Sequence, residues 1–368
     1  MRVIIAAAGT GGHINPGLAI ANKIKEEEPD SEIIFIGTPR GLENDLVPRA
    51  GYGLKKINAY GLSKKLSIDN LKKICSTISA TVDAKKIIIE FKPDVVVGAG
   101  GYICGPVVWA AKKMKVPVVL HESNAFPGKA VKVLSKKADT VLISFEEARS
   151  RIPNAKNIVF TGTPVKIEKR EYSAEEKNKI LQTVNLDSNL PIVLVFGGSQ
   201  GAQKINEAII GIIENKMNKD YQIMWATGPK QYEIIKNELA QKNIDNAKIV
   251  PYIYNMEEIM NVSNIIVARS GAMTITEISN LGKPSILIPL PNVSQDHQTY
   301  NAKVLENVGA AKIIKNDELK KENLNEEIEK IIKNPELMHK MEEKAISKSV
   351  KNVQDKIYKE IKKVVKAK

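Results

Sequence analysis

Short runs rich in Val and Ile recur along this chain between longer segments of helical period, the pattern of βαβ units feeding a parallel sheet. Strands are expected at 3–7, 33–36, 95–97, 118–120 and 141–143. The series stops at a charged, proline-containing stretch over 161–189 and then starts again, at 192–196, 223–226, 249–250, 265–267 and 285–288. The restart implies two α/β domains of Rossmann-like type, 1–163 and 164–347, meeting near Thr163 and Pro164. A length of 368 residues fits two domains at roughly 150 residues each. Near the carboxy terminus Val350, Val353, Ile357, Ile361 and Val364 share one helical face, with eight lysines interleaved over 348–368. This helix is expected to pack back on the first domain; a helix lying on a membrane surface is the other reading.

Charge narrows the partners. Fifty-five Lys plus Arg against 42 Asp plus Glu leave +13, which favours nucleic acid, phosphorylated ligands or an acidic membrane face. Nucleic acid is disfavoured, because aromatics are only 5% of the chain and no helix-turn-helix, zinc or RNP signature occurs. The two cysteines, Cys75 and Cys104, can form neither a disulfide framework nor a zinc knuckle, which fits a reducing cytoplasm. The apolar start is ended by Gly9, too early for a signal peptide, and no run of about twenty uncharged apolar residues follows. Membrane contact is therefore expected to be peripheral.

The chemistry-bearing segments are strand-to-helix turns. Gly9-Thr10-Gly11-Gly12-His13-Ile14-Asn15-Pro16 follows the first strand and precedes a helical segment over 17–25, so backbone N–H groups and a helix dipole point at an anion. A dinucleotide fingerprint needs a third glycine where Ile14 stands and an acid after the second strand, where Gly37-Thr38 stands; a nicotinamide dehydrogenase is disfavoured. Gly197-Gly198-Ser199-Gln200-Gly201-Ala202 repeats the arrangement in the second domain and lacks the Gly-Lys-Ser/Thr ending of a Walker loop. A single such turn can instead serve close packing alone; one in each domain makes a ligand between them the favoured reading. A third unit runs from Arg269 through Ser270, an N-cap candidate, and Gly271 to Glu277, whose carboxylate can accept two ribose hydroxyls or simply be solvated. Gln295, Asp296, His297, Gln298 and Asn301 form a dense polar set just beyond.

Taken in order, the 9–16 turn, the Gly98-Ala99-Gly100-Gly101-Tyr102-Ile103-Cys104-Gly105-Pro106 loop, His121-Glu122-Ser123-Asn124, Thr161-Gly162-Thr163-Pro164-Val165-Lys166, the 197–202 turn, 269–277 and 296–301 resemble the MurG family of peptidoglycan N-acetylglucosaminyltransferases. The resemblance spans nearly the whole chain, and the combination is specific where any single motif is weak. It implies the GT-B architecture, two Rossmann-like domains facing a cleft. The implied activity is inverting transfer of N-acetylglucosamine from UDP-N-acetylglucosamine to the C4 hydroxyl of undecaprenyl-pyrophosphoryl-muramoyl-pentapeptide, at the cytoplasmic face of the cell membrane. Other GT-B enzymes, such as a UDP-N-acetylglucosamine 2-epimerase or a diacylglycerol glycosyltransferase, are the nearer rivals, and a basic nucleic-acid-binding protein the distant one.

Carried over residue by residue, the resemblance puts Thr10, Gly11 and Gly12 near the diphosphate and Asn124 on the sugar. Lys166, where many relatives have Arg, and Ser199 fall on phosphate, Ile253 on uracil, Ala272, Met273, Thr274 and Thr276 on the phosphates and nearby groups, Glu277 on the ribose, and Gln298, or its neighbour His297, on the sugar. Gly101, Tyr102 and His121 would meet the acceptor. His13 is the candidate base for the attacking hydroxyl, with Glu122 and His121 as second choices; the alternative for His13 is a histidine that holds its turn. No Asp-x-Asp occurs, so no metal and no other cofactor is implied. Eight lysines between Lys55 and Lys86, among Leu62, Leu66, Ile68, Leu71, Ile74 and Ile78, read as a basic rim around apolar side chains, suited to an anionic membrane, or else as a solvated helix on the sheet.

Overall fold

The computed structural model describes residues 1–61, 68–198 and 200–367, the side chains of 68–75 excepted. It divides into two compact units, Met1–Val165 with Val350–Lys368, and Lys166–Ser349. The first carries β1 (Arg2–Ala7), α1 (Gly11–Glu27), β2 (Glu32–Gly37), α2 (Glu43–Arg49), β3 (Gly53–Lys56), α3 (Ile68–Phe91), β4 (Val95–Gly100), α4 (Cys104–Lys113), β5 (Val118–Glu122), α5 (Lys129–Leu134), β6 (Thr140–Ile143) and β7 (Ile158–Phe160). The second carries α6 (Ala174–Thr183), β8 (Ile192–Phe196), α7 (Gln203–Glu214), β9 (Gln222–Ala226), α8 (Pro229–Gln241), β10 (Lys248–Val250), α9 (Met256–Val262), β11 (Ile265–Ala268), α10 (Ala272–Leu281), β12 (Ser285–Leu287), α11 (His297–Glu306), β13 (Ala311–Ile313), α12 (Lys321–Ile332) and α13 (Pro335–Ile346). The chain then returns to the first unit as α14 (Val353–Lys366).

Each unit is one parallel sheet covered by helices. The strand orders are β3-β2-β1-β4-β5-β6-β7 and β10-β9-β8-β11-β12-β13, two copies of one doubly wound plan. Both faces of a parallel sheet are covered, so central strands are apolar throughout: every residue of β4, β5 and β8 is buried. The three strands that the sequence pattern does not flag, β3, β7 and β13, are edge strands of three or four residues, where one neighbour is missing and a long apolar run is not needed.

The first glycine turn is shorter than expected. Thr10 is the N-cap and α1 already begins at Gly11, so Gly11, Gly12 and His13 form its first turn and Pro16 lies inside the helix. The amide that Pro16 lacks would have faced the Gly12 carbonyl, one turn into the helix.

The return of α14 is tied down by charge and by packing. Ile357 and Ile361 are buried in the core formed with Val3, Ile5 and Val97, while Lys23 on α1 pairs with Asp355 at 2.7 Å. Glu28 gathers the amino-terminal ammonium at 3.0 Å, the Tyr358 hydroxyl at 2.8 Å and the Lys362 ammonium. Among the described residues no helix is long and apolar enough to cross a membrane.

Burial alone would raise the Glu28 carboxyl, but its pairing with Lys362, the amino terminus and Tyr358 lowers it from the ordinary 4.5 to about 2. A carboxyl lowered on folding stabilises above its unfolded value and loses that effect as pH falls through the folded one. Glu28→Gln should therefore cost about 1–3 kcal/mol at pH 7 in urea unfolding. The gap to wild type should shrink below pH 4.5 and nearly close at pH 2.

Candidate functional site

In a doubly wound sheet the strand order reverses at one point, and the loops leaving the strands there diverge to opposite faces, opening a crevice at the carboxyl edge. The reversal lies between β1 and β4 in the first unit and between β8 and β11 in the second. These four strands lead into the 9–13, 100–103, 197–202 and 269–271 segments, so the topology alone brings the glycine turns to the carboxyl edges at the two reversal points.

In the first unit the His13 imidazole is half-buried and its Nδ1 lies 3.1 Å from the Ala8 carbonyl oxygen. A carbonyl can only accept, so Nδ1 carries the proton and the lone pair sits on Nε2, the tautomer a general base needs. Gly100 (φ +125°) explains how the ring fits: a Cβ there would stand 2.4 Å from the ring's Cδ2. Thr10 is exposed and makes no side-chain cap, Gly11 and Gly12 leave the start of α1 uncovered, and Tyr102 is 37% exposed beside Gly101.

Two candidates from β5 turn inwards. Glu122 is 3% exposed, with one oxygen accepting from the Asn124 backbone N–H at 2.9 Å and from Asn124 Nδ2 at 3.1 Å, and the other accepting from the Gly128 N–H at 2.8 Å. It braces the 124–128 loop, which corrects its expected place as an alternative base. His121 is 1% exposed between Ser123 Oγ and Ser144 Oγ, each at 3.4 Å, and burial pulls its imidazole down to about 4. A neutral, enclosed histidine of this kind does not meet an acceptor directly, against the expectation. Asn124 remains half-buried at the end of the strand.

In the second unit a cavity of about 370 Å³ is lined by Gly197, Gly198, Gly201, Arg269, Gly271, Thr274, Leu290, Gln298 and Asn316. Gly198 (φ +83°) has nothing within 4 Å of where its Cβ would stand, whereas a Cβ on Gly201 would sit 2.2 Å from the Thr227 carbonyl oxygen. One glycine of the turn thus faces open space and the other permits close packing. A larger groove of about 840 Å³ lies between the loops 213–219 and 242–246, at the amino ends of β9 and β10, and has no glycine turn.

Arg269 is the residue that sequence reasoning gave no role. It is 8% exposed, and its Nη1 donates to the carbonyls of Ile288 at 3.0 Å and Pro289 at 3.2 Å. Its Nε is buried without a partner, and among the described residues no acid pairs with it. Such a cation lining a cavity calls for an anion. Its position at the end of an apolar strand was the available signal; Asn316, on the loop after β13, carried none.

The remaining candidates separate cleanly. Gly271, not Ser270, is the N-cap of α10; the Ser270 hydroxyl donates to the Gln298 carbonyl at 2.8 Å and ties the first turn of α11 to the end of β11. Gln298 lines the cavity and His297 does not. Ala272 is buried and Met273 half-buried in the first turn of α10; Thr274 lines the cavity, while the Thr276 hydroxyl donates to the Ala272 carbonyl at 3.0 Å and so turns into its own helix. The Ile253 side chain is in the core, leaving the flanking Tyr252 and Tyr254 exposed. Lys166 is exposed at the start of the unit. Ser199 lies outside the described residues. Glu277 is half-buried, has no protein donor among the described residues, and its carboxyl is pushed up by desolvation to about 7.

Two doubly wound domains of matching strand order, each with a glycine turn at its reversal point, define the GT-B class of glycosyltransferases. Residues 3–143 match the model of the glycosyltransferase family 28 N-terminal domain and residues 192–357 that of the family 28 C-terminal domain. The chain is 43% identical, over 369 residues, to the UDP-N-acetylglucosamine--N-acetylmuramyl-(pentapeptide) pyrophosphoryl-undecaprenol N-acetylglucosamine transferase of Acetivibrio thermocellus, covering 100% of this chain and 99% of that one. The enzyme of the same name from Pediococcus pentosaceus is 46% identical over 330 residues, 88% of each chain. The crystal structure of MurG from Acinetobacter baumannii superposes with a TM-score of 0.78 at 28% identity, over 98% of this chain and 99% of that one. The chain belongs to the MurG family of N-acetylglucosaminyltransferases.

A carboxyl held at about 7 on folding, above its unfolded 4.5, destabilises when ionised: the penalty is full above pH 7 and fades as pH falls to 4.5. Glu277→Gln should therefore raise the melting temperature of the unliganded protein at pH 8 and leave it unchanged near pH 4.5, measured by calorimetry.

Proposed function

We propose that this chain transfers N-acetylglucosamine, with inversion, from UDP-N-acetylglucosamine to the C4 hydroxyl of undecaprenyl-pyrophosphoryl-N-acetylmuramoyl-pentapeptide, a step of peptidoglycan synthesis. The relatives are named for this transfer. The observation that carries the reading is a division of chemistry between the units: an imidazole of fixed tautomer at the first reversal point, and an uncompensated guanidinium at a glycine-lined cavity at the second.

In this mechanism His13 Nε2 takes the hydroxyl proton as the acceptor oxygen bonds to the anomeric carbon and the bond from that carbon to the diphosphate breaks. The leaving diphosphate gains negative charge, which Arg269, the amides of the 197–201 turn and the start of α10 would meet, with Lys166 and Ser199 as further phosphate contacts. Thr10, Gly11 and Gly12 contribute from the first unit. Ala272, Met273 and Thr274 would line the donor, the backbone at Ile253 and its tyrosine neighbours the uracil, and Asn124 and Gln298 the sugar. Thr276 would act only by shaping α10. Glu277, once ionised, accepts both ribose hydroxyls, and Gly101 with Tyr102 would meet the acceptor.

We place the enzyme peripherally on the cytoplasmic face of the membrane. Most of the basic and apolar segment expected to bind lipid, including Lys64, Lys65, Leu66, Ile68, Leu71, Lys72, Lys73 and Ile74, lies outside the described residues or side chains. Its continuation on α3 supports the reading: Ile78 is 63% exposed and Val82 53%, with Lys85 and Lys86 beside them. Trp109 on the adjoining α4 is also exposed, with Lys137 3.9 Å from its ring centroid.

The transfer is tested by incubating the protein with labelled UDP-N-acetylglucosamine and the lipid-linked muramoyl-pentapeptide and weighing the product; no increase by one N-acetylhexosamine would sink the assignment. His13→Ala should lower kcat by about 10²- to 10⁴-fold with donor affinity unchanged, and a loss under about tenfold would return His13 to a turn-holding role. Glu277→Ala should weaken UDP binding by about 1.5–3 kcal/mol in calorimetry. Wild-type UDP affinity should also decline as pH falls below about 7, where the carboxyl must first give up its proton. On anionic vesicles, replacing Ile78 and Val82 with Ser should reduce the binding that survives high salt, whereas Lys85→Gln with Lys86→Gln should reduce only the salt-sensitive part. Unchanged sedimentation of both variants would reject this face.

A further inference from the structure

One peptide group joins two side chains that are thirty residues apart in sequence. The amide between Ala8 and Gly9 presents its carbonyl to His13 Nδ1 at 3.1 Å, and its N–H donates to Glu43 Oε2 at 3.0 Å. Glu43 opens α2 and is fully buried. Its other oxygen accepts from the Thr38 backbone N–H at 2.8 Å and from the Thr38 hydroxyl at 2.7 Å. Burial by itself would push this carboxyl up, yet the hydrogen bonds from Gly9 and Thr38 outweigh it and hold it below the ordinary range, so Glu43 is a buried anion. Room has been kept for it: a Cβ on Gly41 would stand 2.0 Å from Oε2.

We propose that Glu43 is a positioning residue for His13, holding and polarising the Ala8–Gly9 peptide whose carbonyl orients the imidazole. The proposal rests on the reading of His13 as the base. An anion bonded to a peptide N–H draws the amide dipole into line and makes its carbonyl a better acceptor. As His13 takes a proton the ring becomes cationic, and a stronger carbonyl bond at Nδ1 stabilises it, as a carboxylate does when bonded directly to a catalytic imidazole. Here one backbone amide stands between acid and ring. The ring packs against Gly100 at Cδ2 and against Gly101 beside Nδ1. The titratable group beneath that turn, Cys104, is pushed up to about 12 by burial and donates to the Gly100 carbonyl at 3.3 Å, so it adds no charge.

The experiment follows the His13 imidazole by NMR titration of the full-length protein, its resonances assigned through His13→Ala. In Glu43→Gln the His13 pKa should fall by about 0.5–1 pH unit and kcat by about three- to tenfold. The KM for UDP-N-acetylglucosamine should stay unchanged, with the acidic limb of kcat/KM moving to lower pH. Thr38→Val, which removes one bond to the same carboxylate but keeps its charge and the Gly9 contact, should lower stability without lowering the His13 pKa. A folded Glu43→Gln whose His13 titrates as in wild type overturns the proposal, as does a Thr38→Val that lowers the His13 pKa equally. Should Glu43→Gln not fold, Glu43→Asp decides in the same way, since it falls one methylene short of the Gly9 N–H: a lowered His13 pKa supports the coupling and an unchanged one overturns it. Full turnover by His13→Ala, with the His13 titration still shifted in Glu43→Gln, would remove His13 as the base while leaving the coupling intact.

Discussion

A parallel strand buried on both faces can carry chemistry only at its ends, and everything functional in this chain follows from that restriction. With β4, β5 and β8 wholly enclosed, no catalytic side chain can stand in mid-strand without an uncompensated desolvation cost. The polar residues are therefore displaced into the turns after the carboxyl ends, and the reversal of strand order decides which turns are left uncovered. The same order in both sheets gives each unit one such place.

Buried acids then sort themselves by what surrounds them. Glu43 and Glu122 each accept several hydrogen bonds from loop N–H groups, and each closes a loop at the carboxyl edge of the first sheet. A carboxylate so satisfied is scaffold, since most of its acceptor sites are taken by protein donors and its burial leaves no path for a ligand. Burial pushes the Glu122 carboxyl up even so, and Glu277, which has no donor from the protein among the described residues, is pushed up by burial to about 7. The three residues look alike as isolated acids in the sequence; only the count of donors around each tells scaffold from binding group.

The fold was legible because its signal is physical redundancy: the central strands must be apolar on both faces, so the Val and Ile runs at β1, β4, β8 and β11 mark themselves. Edge strands such as β3, ending in Lys55 and Lys56, lack that requirement and stay hidden. The site was legible where a residue type has one use, as with the glycines beside His13. It was not legible where neighbours decide direction. Nothing in the order His121-Glu122 tells that both side chains point into the protein, because that depends on Ser144 from β6–β7 and Gly128 from the next loop. Arg269 was overlooked for the converse reason: an arginine after a strand is ordinary until its lack of a counter-charge is seen.

That lack has a consequence for how a nucleotide sugar would be held. Arg269 and Glu277 flank the start of one strand-turn-helix unit, a cation and an acid that do not pair with each other and are each displaced by desolvation towards the neutral form. Had they been paired, the charge of each would be spent within the protein, and a diphosphate or a ribose would have to break that pair before binding. Kept apart, each retains a desolvation cost that an outside group can offset: an anion at the guanidinium, whose Nε has no partner, and a pair of hydroxyls at the carboxylate. A ligand carrying both groups at the right spacing relieves both at once, whereas a free phosphate or a free pentose relieves one and leaves the other unchanged. A site of this kind would favour a whole nucleoside diphosphate over its fragments, because the two opposite charges at 269 and 277 are left unpaired.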